Sequence, residues 1–89
     1  MKIQKCFLTR NKFISNVVVI NDDGSTEVFN AFIVHWEVSY SNFVFQYKDG
    51  NYYSFTAFPL IFSDRVDYTI PCLADNDMIK EAEKIQKQA

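Results

Sequence analysis

One histidine and two cysteines, His35, Cys6 and Cys72, are the side chains in this sequence best suited to thiol chemistry or to binding a soft metal. A catalytic thiol needs an imidazole in contact with it. His35 sits inside a long apolar stretch beside Trp36, and the two cysteines stand at opposite ends of the chain. On a strand, His35 faces away from Trp36, and a hydrogen-bonded or solvent-facing structural histidine is the expectation. No two of the three residues are close in sequence and no CxxC is present, so no metal site is expected. Asn21-Asp22-Asp23-Gly24-Ser25 lacks the alternating oxygen ligands and closing glutamate of a calcium loop and reads as a hairpin turn. Asp64 with Asp67, or Glu37 with a neighbour, could in principle do acid–base work, but a solvated acidic face is the default reading. The two glycines, Gly24 and Gly50, both fall in turns, which leaves nothing to build a phosphate cradle. The sequence therefore predicts no catalytic residues, no cofactor and no enzyme.

What the chain has in quantity is aromatic surface: 15 Phe, Tyr and Trp in 89 residues. Tyrosine and tryptophan give large amphipathic contacts at low entropic cost. Trp36, Tyr40, Tyr47, Tyr52 and Tyr68 are the candidate partner contacts. Rings along strands can also stack nucleobases, and Phe43, Phe45, Tyr47, Tyr52, Tyr53 and Phe55 are available for that. Such surfaces need interleaved cations. Between Phe13 and Ile79 only Lys48 and Arg65 stand against nine carboxylates, which disfavours nucleic acid.

These side chains must be positioned by strands. The first reads as Ile3–Thr9, the second as Phe13–Ile20, ending in the β-branched run Val17-Val18-Val19-Ile20. Gly24 closes a turn in the left-handed conformation. The third strand runs from Thr26 to Val38, apolar on both parities, with Asn30-Ala31 as its bend. Phe43–Tyr47 and Asn51–Phe58 form a hairpin whose loop follows from parity. A three-residue loop, Lys48-Asp49-Gly50, pairs Tyr47 with Asn51 and collects Phe43, Phe45, Tyr47, Tyr53, Phe55 and Ala57 on one face. A two-residue loop would mix those rings with Ser54 and Thr56, because a one-residue slip moves every side chain across the sheet. Pro59 closes the fifth strand, Ser63-Asp64 turns, and a sixth strand, Arg65–Ile70, ends at Pro71. The tail about 75–88 is the one helix, capped by Asp75 or Asp77, with Met78, Ala82, Ile85 and Ala89 on its apolar face and Ile79 at the edge. The fold class is mainly β (α+β): an antiparallel five- or six-stranded meander, as a small barrel or a strongly twisted sheet, with a C-terminal helix, in one domain over 1–89.

Charge is unevenly placed. Residues 1–12 carry four cations and no acid, and the whole chain carries a formal −2. The opening Met1–Cys6 is not followed by the apolar run of a secretory signal, and no stretch reaches the ~20 apolar residues of a membrane helix. A cytoplasmic protein with free, buried thiols is expected; a Cys6–Cys72 bridge stays open if their strands are neighbours. The chain has 36 large apolar side chains, whereas a domain of this size fully buries about 20–25. The surplus points to a protein-binding module, with a protein partner or a second copy as a homodimer. It has the general look of the accessory proteins of phages and other mobile elements, which often inhibit a host protein. The alternative is a binder of a small ligand or single-stranded nucleic acid on an aromatic strand face.

Overall fold

The computed structural model describes residues 2–11, 14–58 and 66–88. The expectations for Phe13, Pro59, Ser63, Asp64, Arg65 and Ala89 lie outside the described residues. Seven strands form two antiparallel sheets. β1 (Ile3–Asn11), β2 (Ile14–Asn21) and β3 (Thr26–Asn30) make the first, in the order β1-β2-β3. β4 (Phe32–Trp36), β5 (Ser41–Gln46), β6 (Tyr52–Ala57) and β7 (Cys72–Leu73) make the second, in chain order. α1 (Asn76–Gln88) follows. Among the described residues neither sheet closes on itself, and no barrel is seen.

β3 and β4 are the two halves of the long third strand read from the sequence, and they part at the expected bend. Asn30 still pairs with Asn16, whereas Phe32 pairs with Val44 of the other sheet. Ala31 between them is buried, and its N–H donates to the Ser15 carbonyl at 3.0 Å. A small side chain suits a strand that changes sheets at a corner. The long strand stops at Trp36 rather than Val38, because the Glu37 N–H donates to the Tyr40 carbonyl at 2.9 Å and starts a turn that leaves Val38 96% exposed.

The hairpin β5–β6 has the register that parity selects. Phe43 pairs with Phe55 and Phe45 with Tyr53, and the Tyr47 N–H donates to the Asn51 carbonyl at 2.9 Å. Gly50 has φ +87° and Gly24 has φ +87°, the left-handed region where a Cβ is costly. Phe43, Phe45, Tyr47 and Phe55 face the first sheet and join Cys6, Val17, Val19 and Ala31 in one buried core. Their rings stack closely, with Phe43 and Phe55 centroids 5.6 Å apart and Phe45 and Tyr53 5.8 Å apart.

The opposite face of the second sheet belongs to the helix. α1 packs on β4 and β5, and Val44 and Ala82 are both fully buried there. Asp75 is the cap: its Oδ1 accepts from the Met78 N–H at 2.9 Å, and its carbonyl accepts from the Ile79 N–H.

Over the described part of the expected sixth strand Arg65–Ile70, residues 66–70, no strand forms. Among the described residues, the segment before Pro71 makes one antiparallel bridge, in which Thr69 and Cys6 exchange two hydrogen bonds of 2.8 Å. Pairing then resumes after Pro71, where Cys72 and Leu73 join β6. Pro71 has no N–H to extend a ladder, and it stands where the chain leaves the edge of β1 for the edge of β6.

A polar cluster ties the two sheets at one end. Asn21 is fully buried and accepts from the Tyr47 hydroxyl on Oδ1, while its Nδ2 donates to Ser25 Oγ at 3.0 Å and Glu27 Oε2 at 3.1 Å. Lys48 Nζ lies 3.1 Å from the same Glu27 oxygen. The Asn21 and Lys48 contacts hold the Glu27 carboxyl below the usual range. Tyr47, expected among the partner contacts, is thereby a core residue, 3% exposed. The register that gathers the rings on one face turns it inward, and Asn21 satisfies its hydroxyl.

Candidate functional site: the outer face of the first sheet

Parity divides the first sheet sharply. Val17, Val19 and Cys6 point into the core. Cross-strand partners share a face, so the other side carries three rows. Lys5, Ile20 and Thr26 form one, Phe7, Val18 and Val28 the next, and Thr9, Asn16 and Asn30 the third. Ile14 lies beyond them on β2. Tyr68 adds its ring edge-on to Phe7, with centroids 5.3 Å apart, and Lys5 Nζ sits 4.3 Å from the Tyr68 centroid. The flanking Thr69 bridge puts Ile70 alongside. No element among the described residues covers this face. Ile14 is 61% exposed, Val28 62%, Tyr68 49% and Ile70 76%. Together they leave on the order of 500 Å² of apolar surface in water, at the upper end of what a monomer usually shows as its largest patch. The only charged strand residue on the face is Lys5.

Of the residues singled out from the sequence, Tyr68 alone belongs to this surface. Trp36 is 79% exposed, but it lies at the far end of the second sheet, opposite Ser41 and beside the turn that carries Val38. Tyr40 is half-buried with its ring 6.0 Å from His35. Tyr52 is half-buried opposite Gln46 on the helix side of the second sheet. The structure does not bring these residues together. The ring set considered for base stacking is mostly core: Phe43, Phe45, Tyr47 and Phe55 are each under 5% exposed.

His35 is solvent-facing, with Nε2 3.1 Å from Glu37 Oε1. Cys6 is sealed in the core, where desolvation pushes its thiol up to about 12. Cys72, expected to be buried, is exposed, because β7 is the free edge of the second sheet. Both thiols are free. His35 on β4 and Cys72 on β7 stand on opposite edges of a four-stranded sheet, about 14 Å apart by strand spacing. Among the described residues no three His, Cys, Asp or Glu side chains gather as a metal site. An open groove of about 450 Å³ lies where the long strand bends, lined by Phe29, Asn30, Phe32, Gln46 and Gln86. Among the described residues its lining holds no titratable side chain. No helix among the described residues is long and apolar enough to cross a membrane.

In comparison with known proteins, no family model, curated protein or solved structure matches the chain.

The site was hard to find in the sequence because β2 is apolar on both parities. Val17-Val18-Val19-Ile20 has no alternation to say which pair is core. Its signal lay instead in Ile14, followed by the polar Ser15-Asn16, and in Val28, whose same-face neighbours Thr26 and Asn30 are polar.

Proposed function

We propose that this protein is a non-enzymatic protein-binding module and that the outer face of β1, β2 and β3 is its docking surface. One observation carries the reading: Ile14, Val28, Tyr68 and Ile70 stand open on a sheet face whose strands hold a single charge. An apolar core with a polar border of Lys5, Thr9, Asn16, Thr26 and Asn30 has the composition of a protein interface, in which charge is depleted at the centre. Such a surface acts by covering a partner rather than by transforming it. Inhibition of a host protein by occlusion, in the manner of mobile-element accessory proteins, is one form this takes.

Site-specific photo-cross-linking tests the proposal. A benzophenone side chain at position 28 or 70 should yield a discrete protein adduct in the source cell, and one at position 83 on the exposed side of α1 should not. The adducted protein, identified by mass and then purified, should lose binding to a Val28→Lys variant. Equal adducts from all three positions, or binding untouched by Val28→Lys, would remove the proposal.

A further inference from the structure

We infer that the occupant of this face is a second copy of the same chain, packed face to face about a two-fold axis that runs parallel to the strands along β2. The inference rests on the docking face proposed above and names what covers it.

Area is the first support. A standard interface buries ~800 Å² per partner. Apolar surface of about 500 Å² across the face, with Tyr68 and Ile70 at its β1 rim, and the remainder from the polar border, gives the roughly 65% apolar share of homodimer interfaces. Charge is the second, and it selects the axis. On the outer face β1 carries Lys5 and no carboxylate, while the β2–β3 turn carries Asp22 and Asp23. That turn is at the Lys5 end of the sheet, where the Asp22 N–H donates to the Lys2 carbonyl at 3.0 Å. An in-plane axis perpendicular to the strands would lay β1 on β1 of the other copy and carry Lys5 to the end of the sheet away from the other copy's Asp22-Asp23 turn. The axis parallel to the strands exchanges the sheet's edges, so β1 lies over β3 of the other copy.

In that arrangement the rows meet in register. Lys5 comes over Thr26 beside the Asp22-Asp23 turn, Phe7 over Val28, and Val18 and Ile20 of the central strand over their own counterparts. An isologous interface requires this reciprocity: what residue 7 meets on one copy, residue 28 meets on the other. Sheets packed face to face bury their apolar rows against each other in the same way within one chain.

The test is mass in solution with reciprocal charges. Sedimentation or light scattering across a dilution series should show the parent moving between the 10.4 kDa monomer and twice that mass. Phe7→Lys with Val28→Lys should weaken the dimer about 100-fold or more through like charges facing each other, and Phe7→Glu with Val28→Glu should do the same. Mixed in equal amounts, the two variants should regain the dimer. Far-UV circular dichroism confirms that each variant is folded, and the parent's own dilution series needs no variant. A parent that stays monomeric at about 1 mM overturns the second copy as occupant, while the cross-linking result decides the docking face separately. Variants that dimerise like the parent overturn the use of this face. Monomeric variants that do not recover on mixing overturn the β1-over-β3 pairing.

Discussion

Replacing Tyr47 by Phe removes one hydroxyl and leaves everything else about the core unchanged. The hydroxyl donates to Asn21 Oδ1, and both residues are closed to water, Asn21 at 0% and Tyr47 at 3% exposed. The net worth of an ordinary hydrogen bond is about 1 kcal/mol, but stranding a buried acceptor costs about 1–3 kcal/mol. Asn21 Oδ1 accepts from the Tyr47 hydroxyl, and no water path is open to a fully buried side chain. About 2 kcal/mol is therefore the expected loss. With a urea slope of ~1–2 kcal/mol/M, the midpoint should fall by about 1–2 M with the slope unchanged, and the melting temperature by about 10 °C. Combining Tyr47→Phe with Asn21→Leu also removes the Asn21 Nδ2 bonds to Ser25 and Glu27, so the double variant should be less stable than Tyr47→Phe alone, with a total loss smaller than the sum of the two single losses. The cycle of single and double variants, read by urea unfolding, gives the coupling. A Tyr47→Phe midpoint within ~0.3 M of the parent would show that the Asn21–Tyr47 contact does not tie the sheets together.

Three further expectations follow from particular side chains. The Glu27, Asp23 and Asp49 carboxyls are all held low, Glu27 by Asn21 and Lys48, Asp23 by the Ser25 hydroxyl and N–H, and Asp49 by the Asn51 N–H with help from the Tyr53 hydroxyl. A lowered folded-state pKa gives stability that is present above the unfolded carboxylate range and lost as pH falls through the folded value, so unfolding midpoints should drop below about pH 4, and less so for Glu27→Gln. Cys72 should react with a maleimide in the native protein while Cys6 waits for unfolding, and the buried Cys6 thiol should withdraw stability as pH rises above 9 towards about 12; mass spectrometry of alkylated protein at graded urea checks both. Gly50→Ala meets open space around a new Cβ yet keeps φ +87°, so its cost should be the backbone alone, about 1–2 kcal/mol in thermal unfolding.

The parts of the fold legible in the sequence are those where one residue or one parity leaves a single choice. Gly50 with the aromatic face set the hairpin register, Asn30-Ala31 marked the bend, and Asp75 capped the helix. The sixth strand was misread because Val66 to Ile70 has strand-forming residues but only one backbone neighbour, Cys6, and because pairing continues beyond Pro71 rather than stopping there. Cys72 was misjudged because exposure on β7 depends on which strand ends the sheet, a matter of topology that composition does not carry. Tyr47 has the chemistry of an interface residue and the parity of a core one, and burial followed parity. The docking face was hidden for the opposite reason: β2 is greasy on both sides, and only the partner sheet decides which side is covered.

Solvent paramagnetic relaxation of methyl groups tests the docking face most directly. With a soluble paramagnetic probe present, the methyls of Ile14, Val18, Ile20, Val28 and Ile70 should be strongly relaxed in dilute protein. They should become shielded at high concentration, or on addition of the cross-linked partner, while Val38 stays relaxed throughout. Methyls on the outer face of β1, β2 and β3 that remain as accessible as Val38 under every one of these conditions would contradict the account.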